Sequence, residues 1–175
     1  MRKLISIFCL LSSILFTSCF LFDDTETLPE KTETGKNSFG CFVNGRLVQI
    51  RHTQLSRAET QGDFFFLRFS NTIDNQLYAD PIKNFSFKIT KDILENVSYD
   101  LTNIDLYNVQ YTDFIDAKPN CIYNSSDITK GTITFSKIDR TKYIISGTFE
   151  FEGSTQNCVD IQVTDGRFDM KYFPY

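Results

Sequence analysis

From residue 38 to the end, short runs of alternating apolar and polar side chains are separated by turn residues. Asn44-Gly45 lies between two such runs. Asn-Gly is the preferred pair for a two-residue hairpin, because both positions need positive φ. A turn centred there sets Val43 opposite Arg46, Cys41 opposite Val48 and Phe39 opposite Ile50. Phe39, Cys41, Val43, Val48 and Ile50 then share one core face. In the C-terminal half Ile133 and Phe135 alternate with Thr132, Thr134 and Ser136, and Asp139 to Thr141 makes a turn. Tyr143, Ile145, Gly147, Phe149 and Phe151 alternate with Ile144, Ser146, Thr148, Glu150 and Glu152, which is period two with one wet face.

Gly153 to Asn157 reads as the next loop, and Val159, Ile161 and Val163 then alternate with Asp160, Gln162 and Thr164. Asp165-Gly166 is a second two-residue hairpin signal. Centred there, Val163 meets Phe168, Ile161 meets Met170 and Val159 meets Tyr172, all apolar. In the middle, Asp63 to Ser70, Lys83 to Thr90, Leu106 to Tyr111 and Asn120 to Tyr123 read as strands, and Lys91 to Asn96 as one short helical turn. No long 3.6-residue stripe appears. The pattern predicts an all-β fold, a single antiparallel β-sandwich or partly open barrel of about nine short strands. The 18 Phe and 8 Tyr suit strands, which favour aromatic and β-branched residues.

The first residues follow a different pattern. Arg2 and Lys3 precede an apolar stretch, Leu4 to Phe16, that is shorter than the roughly 20 helical residues a bilayer core needs. That is the layout of a secretory signal, not of a membrane span. Cys19 follows directly, in Leu15-Phe16-Thr17-Ser18-Cys19. A bulky Phe16 three residues before the cut suits a lipoprotein peptidase better than one that wants small side chains. The reading is a cleaved signal over residues 1–18 and acyl chains such as palmitate on Cys19. Two or three chains on one residue make a stable anchor, where a single chain holds only marginally. Asp23 to Lys36 is polar and acidic and lacks the apolar surface to fold alone, so residues 19–37 read as the lipidated cysteine and a flexible tether. Residues 38–175 then form a single β domain, long enough for one full core.

Loss of residues 1–18 leaves 16 basic against 22 acidic residues. That balance argues against nucleic acid as a partner, since such binding needs basic patches. Cys41, Cys121 and Cys158 remain for pairing in an oxidising compartment. Cys41 falls in a core-facing register, so Cys121–Cys158 is the favoured bridge. The cysteine spacing fits no zinc pattern, and neither a metal nor another cofactor is expected.

No Gly-x-Ser-x-Gly elbow, His-Glu-x-x-His helix or Gly-rich phosphate loop occurs. His52 is the single histidine, and beside Arg51 at the end of the first hairpin it reads as a surface residue. Asp165 and Asp169 bracket Gly166-Arg167 and could join a calcium site, although a turn role for Asp165 is the plainer reading. A glycosidase needs only two suitably spaced carboxylates, which an acidic chain always offers. Tyr107, Tyr111 and Tyr123 crowd the middle segment together with Tyr99. Such tyrosines either pack a sheet or form a binding surface for a sugar or a protein partner, and the three are the candidate binding residues.

The stretch Leu28 to Gly45, with Thr34-Gly35-Lys36-Asn37-Ser38-Phe39-Gly40-Cys41, resembles the start of a family of Bacteroidota lipoproteins of unknown function. Ser146-Gly147-Thr148-Phe149-Glu150-Phe151 and Asp165-Gly166-Arg167-Phe168-Asp169 are similar to its C-terminal signatures. Relatives often carry a Trp just after the Asn-Gly turn, where this chain has Arg46-Leu47-Val48. The resemblance implies a lipid-anchored β domain and supplies no catalytic residues. Asp23-Asp24 resembles the acidic signal that exports some such lipoproteins to the cell surface, although a solvated tether is acidic in any case. The expectation is a protein of the outer membrane, on its periplasmic or cell-surface face. Its leading function is non-enzymatic, presenting a surface to a glycan, a small ligand or another envelope protein. A glycan hydrolase and a purely structural envelope protein are the alternatives.

Overall fold

The computed structural model describes residues 27–50, 56–70, 82–115 and 118–175. Cys19, Asp23-Asp24 and His52 lie outside the described residues. The fold is nearly all β, a curled open sheet that forms a half-barrel. Its strands are β1 (Ser38–Val43), β2 (Arg46–Ile50), β3 (Ser56–Gln61), β4 (Phe64–Ser70), β5 (Ile82–Thr90), β6 (Ser98–Asp100), β7 (Tyr107–Ile115), β8 (Lys118–Tyr123), β9 (Ile128–Asp139), β10 (Ile144–Gly153) and β11 (Ile161–Phe173). Hydrogen bonding runs in the order β6-β9-β10-β11-β3-β4-β5-β7-β8, and the β1–β2 hairpin is added to β11. The long β11 joins the two halves. It lies between β1 and β10 for most of its length, and its end pairs in parallel with β3 through Tyr172 and Phe173.

The two halves close on one aromatic core. Phe39 of β1 stacks on Phe69 of β4 with centroids 4.1 Å apart, and Phe149 of β10 meets Phe87 of β5 edge-on at 5.1 Å. Offset and edge-on rings of this kind are the favoured geometries and add to area burial. The first hairpin has the register that its sequence predicts, with Phe39, Cys41, Val43, Val48 and Ile50 all buried.

Asp165-Gly166 is not a hairpin. It is a bulge inside the continuous β11, with Asp165 at φ 53°. Phe42 pairs with Thr164 and Gly40 with Arg167, so Asp165 and Gly166 together face Cys41. One extra residue shifts the side-chain parity of the strand. Ile161 and Val163 face inward before the bulge, and Gly166, Phe168, Met170 and Tyr172 face inward after it. A two-residue hairpin produces the same switch of parity, so the apolar pattern cannot separate the two. Val159, expected opposite Tyr172, lies outside the strand and is 77% exposed.

The segment expected as a helical turn, Lys91 to Asn96, is irregular and drops Ile93 into the core. The pattern also missed β3, whose inward residues Ala58 and Thr60 are small and carry only a weak apolar signal, and β6, which has only three residues.

Candidate functional site

The stretch expected as free tether is partly a strap on the domain. Its lock is Asp169 of β11, which stands on the outer face of the sheet directly across from Ser146 of β10. Oδ2 accepts from Thr32 Oγ1 at 2.6 Å, Thr34 N at 3.1 Å and Lys36 N at 3.1 Å. Oδ1 accepts from Gly35 N at 2.7 Å and Ser146 Oγ at 2.7 Å. Burial alone pushes the Asp169 carboxyl up, but the bonds from Thr32, Ser146, Lys36 and Gly35 outweigh it and hold the group below the usual carboxylate range.

Local backbone chemistry shapes this strap. Gly35 at φ 72° and Asn37 at φ 56° turn the chain so that consecutive N–H groups converge on one carboxylate. Asn37 Oδ1 also accepts from Lys171 N at 2.9 Å, and Arg167 Nη1 donates to the Pro29 carbonyl at 3.1 Å. A Cβ on Gly40 would come within 2.5 Å of Pro29 Cδ, so the missing side chain is what seats the strap on β1. The strap explains why Ile144 and Ser146, expected on the wet face, are buried: Gly35 packs beside Ile144, and Asp169 covers Ser146.

Beside the strap, hollows run along the outer face of β9, β10 and β11. One of about 430 Å³ lies between Lys31, Thr32 and Arg167, with Ser136 and Thr148 below. It shares Lys31 and Thr148 with a second of about 290 Å³ that also touches Thr132, Thr134, Glu150 and Asp165. The floor is rich in hydroxyls because Thr134 pairs with Thr148, and Thr132 with Glu150, across β9 and β10. This groove can form hydrogen bonds to a polar ligand and presents charges of both signs. Glu150 and Asp165 in it are exposed. Asp165 and Asp169 do not form the calcium pair considered from sequence. Asp169 is surrounded by donors, and a cation site cannot be built from donors. Among the described residues, no group of three or more His, Cys, Asp or Glu side chains is placed to hold a metal ion.

The candidate tyrosines are corrected by their position. Tyr107, Tyr111 and Tyr123 are 6%, 1% and 2% exposed and belong to the core. Tyr107, Val109 and Tyr111 alternate along β7 and all face inward. Tyr111 packs on Phe85 at 4.8 Å and on Tyr123 at 5.8 Å, and the Tyr123 hydroxyl donates to the Val159 carbonyl. At this end of the core Lys83 Nζ donates to the Tyr111 hydroxyl at 3.3 Å and to Asp113 Oδ1 at 3.2 Å. Burial pushes the Tyr111 hydroxyl far above its ordinary value, and the Asp113 charge adds to the shift. Cys41 is buried nearby as a free thiol, likewise pushed up by burial although the Lys83 charge opposes it.

Cys121 of β8 and Cys158 are bridged, with Cα atoms 5.9 Å apart, tying the loop before β11 to the sheet edge. Sequence reasoning missed the Asp169 lock because it weighed composition. Thr-x-Thr-Gly-x-Asn has a turn former at each position where this backbone needs one, a signal that a plain linker would lack. Comparison with family models, curated proteins and solved structures finds no match for the chain.

Proposed function

We propose that this chain is a lipid-anchored envelope protein whose β domain serves as a non-enzymatic binding or accessory module. The anchor reading draws on the signal-like start and on Cys19. The observation that carries the domain reading is the strap. Four donors clamp residues 32–36 to Asp169, which Ser146 of β10 also holds, so any pull from an anchor at Cys19 would be borne by the sheet. The hydroxyl-lined groove runs beside this strap. The groove is open and polar, which suits reversible contact with a polar ligand or an envelope protein. Cys19→Ala tests the reading. The native chain should sediment with outer-membrane vesicles and incorporate labelled palmitate, and the variant should do neither. Equal membrane association of both chains would overturn the anchor.

A second reading, a glycan hydrolase using paired carboxylates, is favoured by Glu150 and Asp165 lining one hollow. Against it, both are exposed, whereas burial or a close like charge normally keeps the acid of such a pair protonated. Release of reducing ends by the native chain, lost in Glu150→Gln and Asp165→Asn, would establish the hydrolase. No release from a panel of neutral and acidic polysaccharides would remove it.

A further inference from the structure

The outer face of the other half of the half-barrel carries a pattern that neither the strap nor the groove explains. Arg57 of β3 and Arg68 of β4 are paired directly across neighbouring strands, and both are exposed. Like charges directly opposite one another destabilise a sheet. Glu59 takes only one edge of the pair, through Arg57 Nη2 at 2.7 Å. The next row of the same face runs Phe173, Glu59, Phe66, Lys88, Asn108 across five strands. Phe173 is 60% exposed, and Tyr175, whose hydroxyl accepts from Arg57 Nη2 at 3.2 Å, is 76% exposed. Lys88 Nζ lies 4.1 Å above the ring of Phe64. In an acidic protein, the described residues of this face gather three cations, Arg57, Arg68 and Lys88, against the carboxylate of Glu59, with aromatic rings beside them.

We propose that this face binds an acidic polysaccharide. The Arg68 guanidinium, across from Arg57 whose Nη2 already serves Glu59 and Tyr175, offers a carboxylate or sulfate paired charge-assisted bonds. The exposed rings of Phe173 and Tyr175 offer apolar faces to the C–H side of a sugar ring. Neighbouring strands are about 4.8 Å apart, so the row of five residues gives an extended track and not a point site. An anionic bilayer is the competing occupant, and the flotation arm of the test separates the two. The proposed occupant does not depend on the anchor.

The test uses the full chain in detergent micelles and measures its retardation in native gels. The gels contain polygalacturonate, dextran sulfate or uncharged dextran, and flotation with phosphatidylglycerol vesicles runs in parallel. Retardation by either acidic polymer without retardation by dextran supports the proposal, and the polymer that works tells whether the recognised group is a carboxylate or a sulfate. Arg68→Gln should weaken that binding by roughly tenfold or more, the effect of one lost charge-assisted bond. Its melting temperature should hold or rise, because the like-charge pair is relieved. Phe173→Ala should weaken binding without unfolding the protein. No retardation by either acidic polymer, equal retardation by dextran, binding that Arg68→Gln leaves intact, or flotation with vesicles in place of retardation would each overturn the proposal.

Discussion

Removing the carboxylate of Asp169 should unlock the strap at a cost that can be worked out from its five donors. In Asp169→Ala, the hydroxyl of Thr32 and the N–H groups of Thr34 and Lys36 are only part-buried and can turn to water. Gly35 N and Ser146 Oγ are buried in their bonds to Asp169 and have no such recourse without movement of the strap. Each buried donor left without a partner costs about 1–3 kcal/mol. The sum is about 2–6 kcal/mol, and peeling away of the strap limits it to the lower half. For a domain of this size that is a fall in melting temperature of roughly 5–12 °C. Hydrogen exchange reads the location directly: the amides of Thr34, Gly35 and Lys36 should lose protection, while those in the β1–β2 hairpin keep theirs. A variant that melts within about 2 °C of the native protein and keeps protection at these amides would refute the lock, since two orphaned donors at the low end of their cost shift it by about 4 °C or more.

The same carboxylate sets a pH dependence. Its folded value is depressed, so its contribution is fully present above the unfolded carboxylate range near 4 and is lost as pH falls through the folded value. The stability gap between native protein and Asp169→Asn should therefore be flat from about pH 7 to 5 and shrink below about pH 4, as denaturant titrations would show. Gly147→Ala puts a Cβ 2.3 Å from the Thr134 carbonyl oxygen, which is backbone. It should part β9 from β10 and cost about 1–3 kcal/mol by overpacking, read from the denaturant midpoint. Cys121→Ser opens a bridge with a sequence separation of 37 and should cost roughly 3–4 kcal/mol on the chain-entropy account. Reducing agent should destabilise the native protein by a similar amount and leave the variant unmoved. Tyr111→Ala should cost about 3–5 kcal/mol, as expected for a large ring removed from a packed core and not from a binding surface.

The fold was largely legible because alternation reports burial wherever a strand has one wet and one dry face. The first hairpin, the inward face of β10 and both middle strands β4 and β5 follow from it. The failures have physical causes. At Asp165-Gly166 the bulge reverses parity as a hairpin would, so one apolar pattern fits two backbones. At β3 the inward residues are Ala58 and Thr60, and position in the sheet rather than side-chain character makes them a strand.

The site was less legible, because its main parts are polar groups whose meaning depends on what faces them. Asp169 reads as an ordinary surface carboxylate until Thr32, Gly35 and Ser146 are brought to it from distant parts of the chain. The tyrosines carried the opposite ambiguity, resolved by the inward placement of Tyr107 and Tyr111 on β7 and of Tyr123 on β8. Gly35, Asn37, Gly40, Gly147 and Asp169 all build or seat the strap or close the strands beneath it.

Intact mass of the mature protein extracted from membranes tests the proposed anchor most directly. The account predicts a chain that begins at Cys19 and carries the added mass of a diacylglyceryl group. A mature chain that begins elsewhere, or at Cys19 with no added mass, would contradict it.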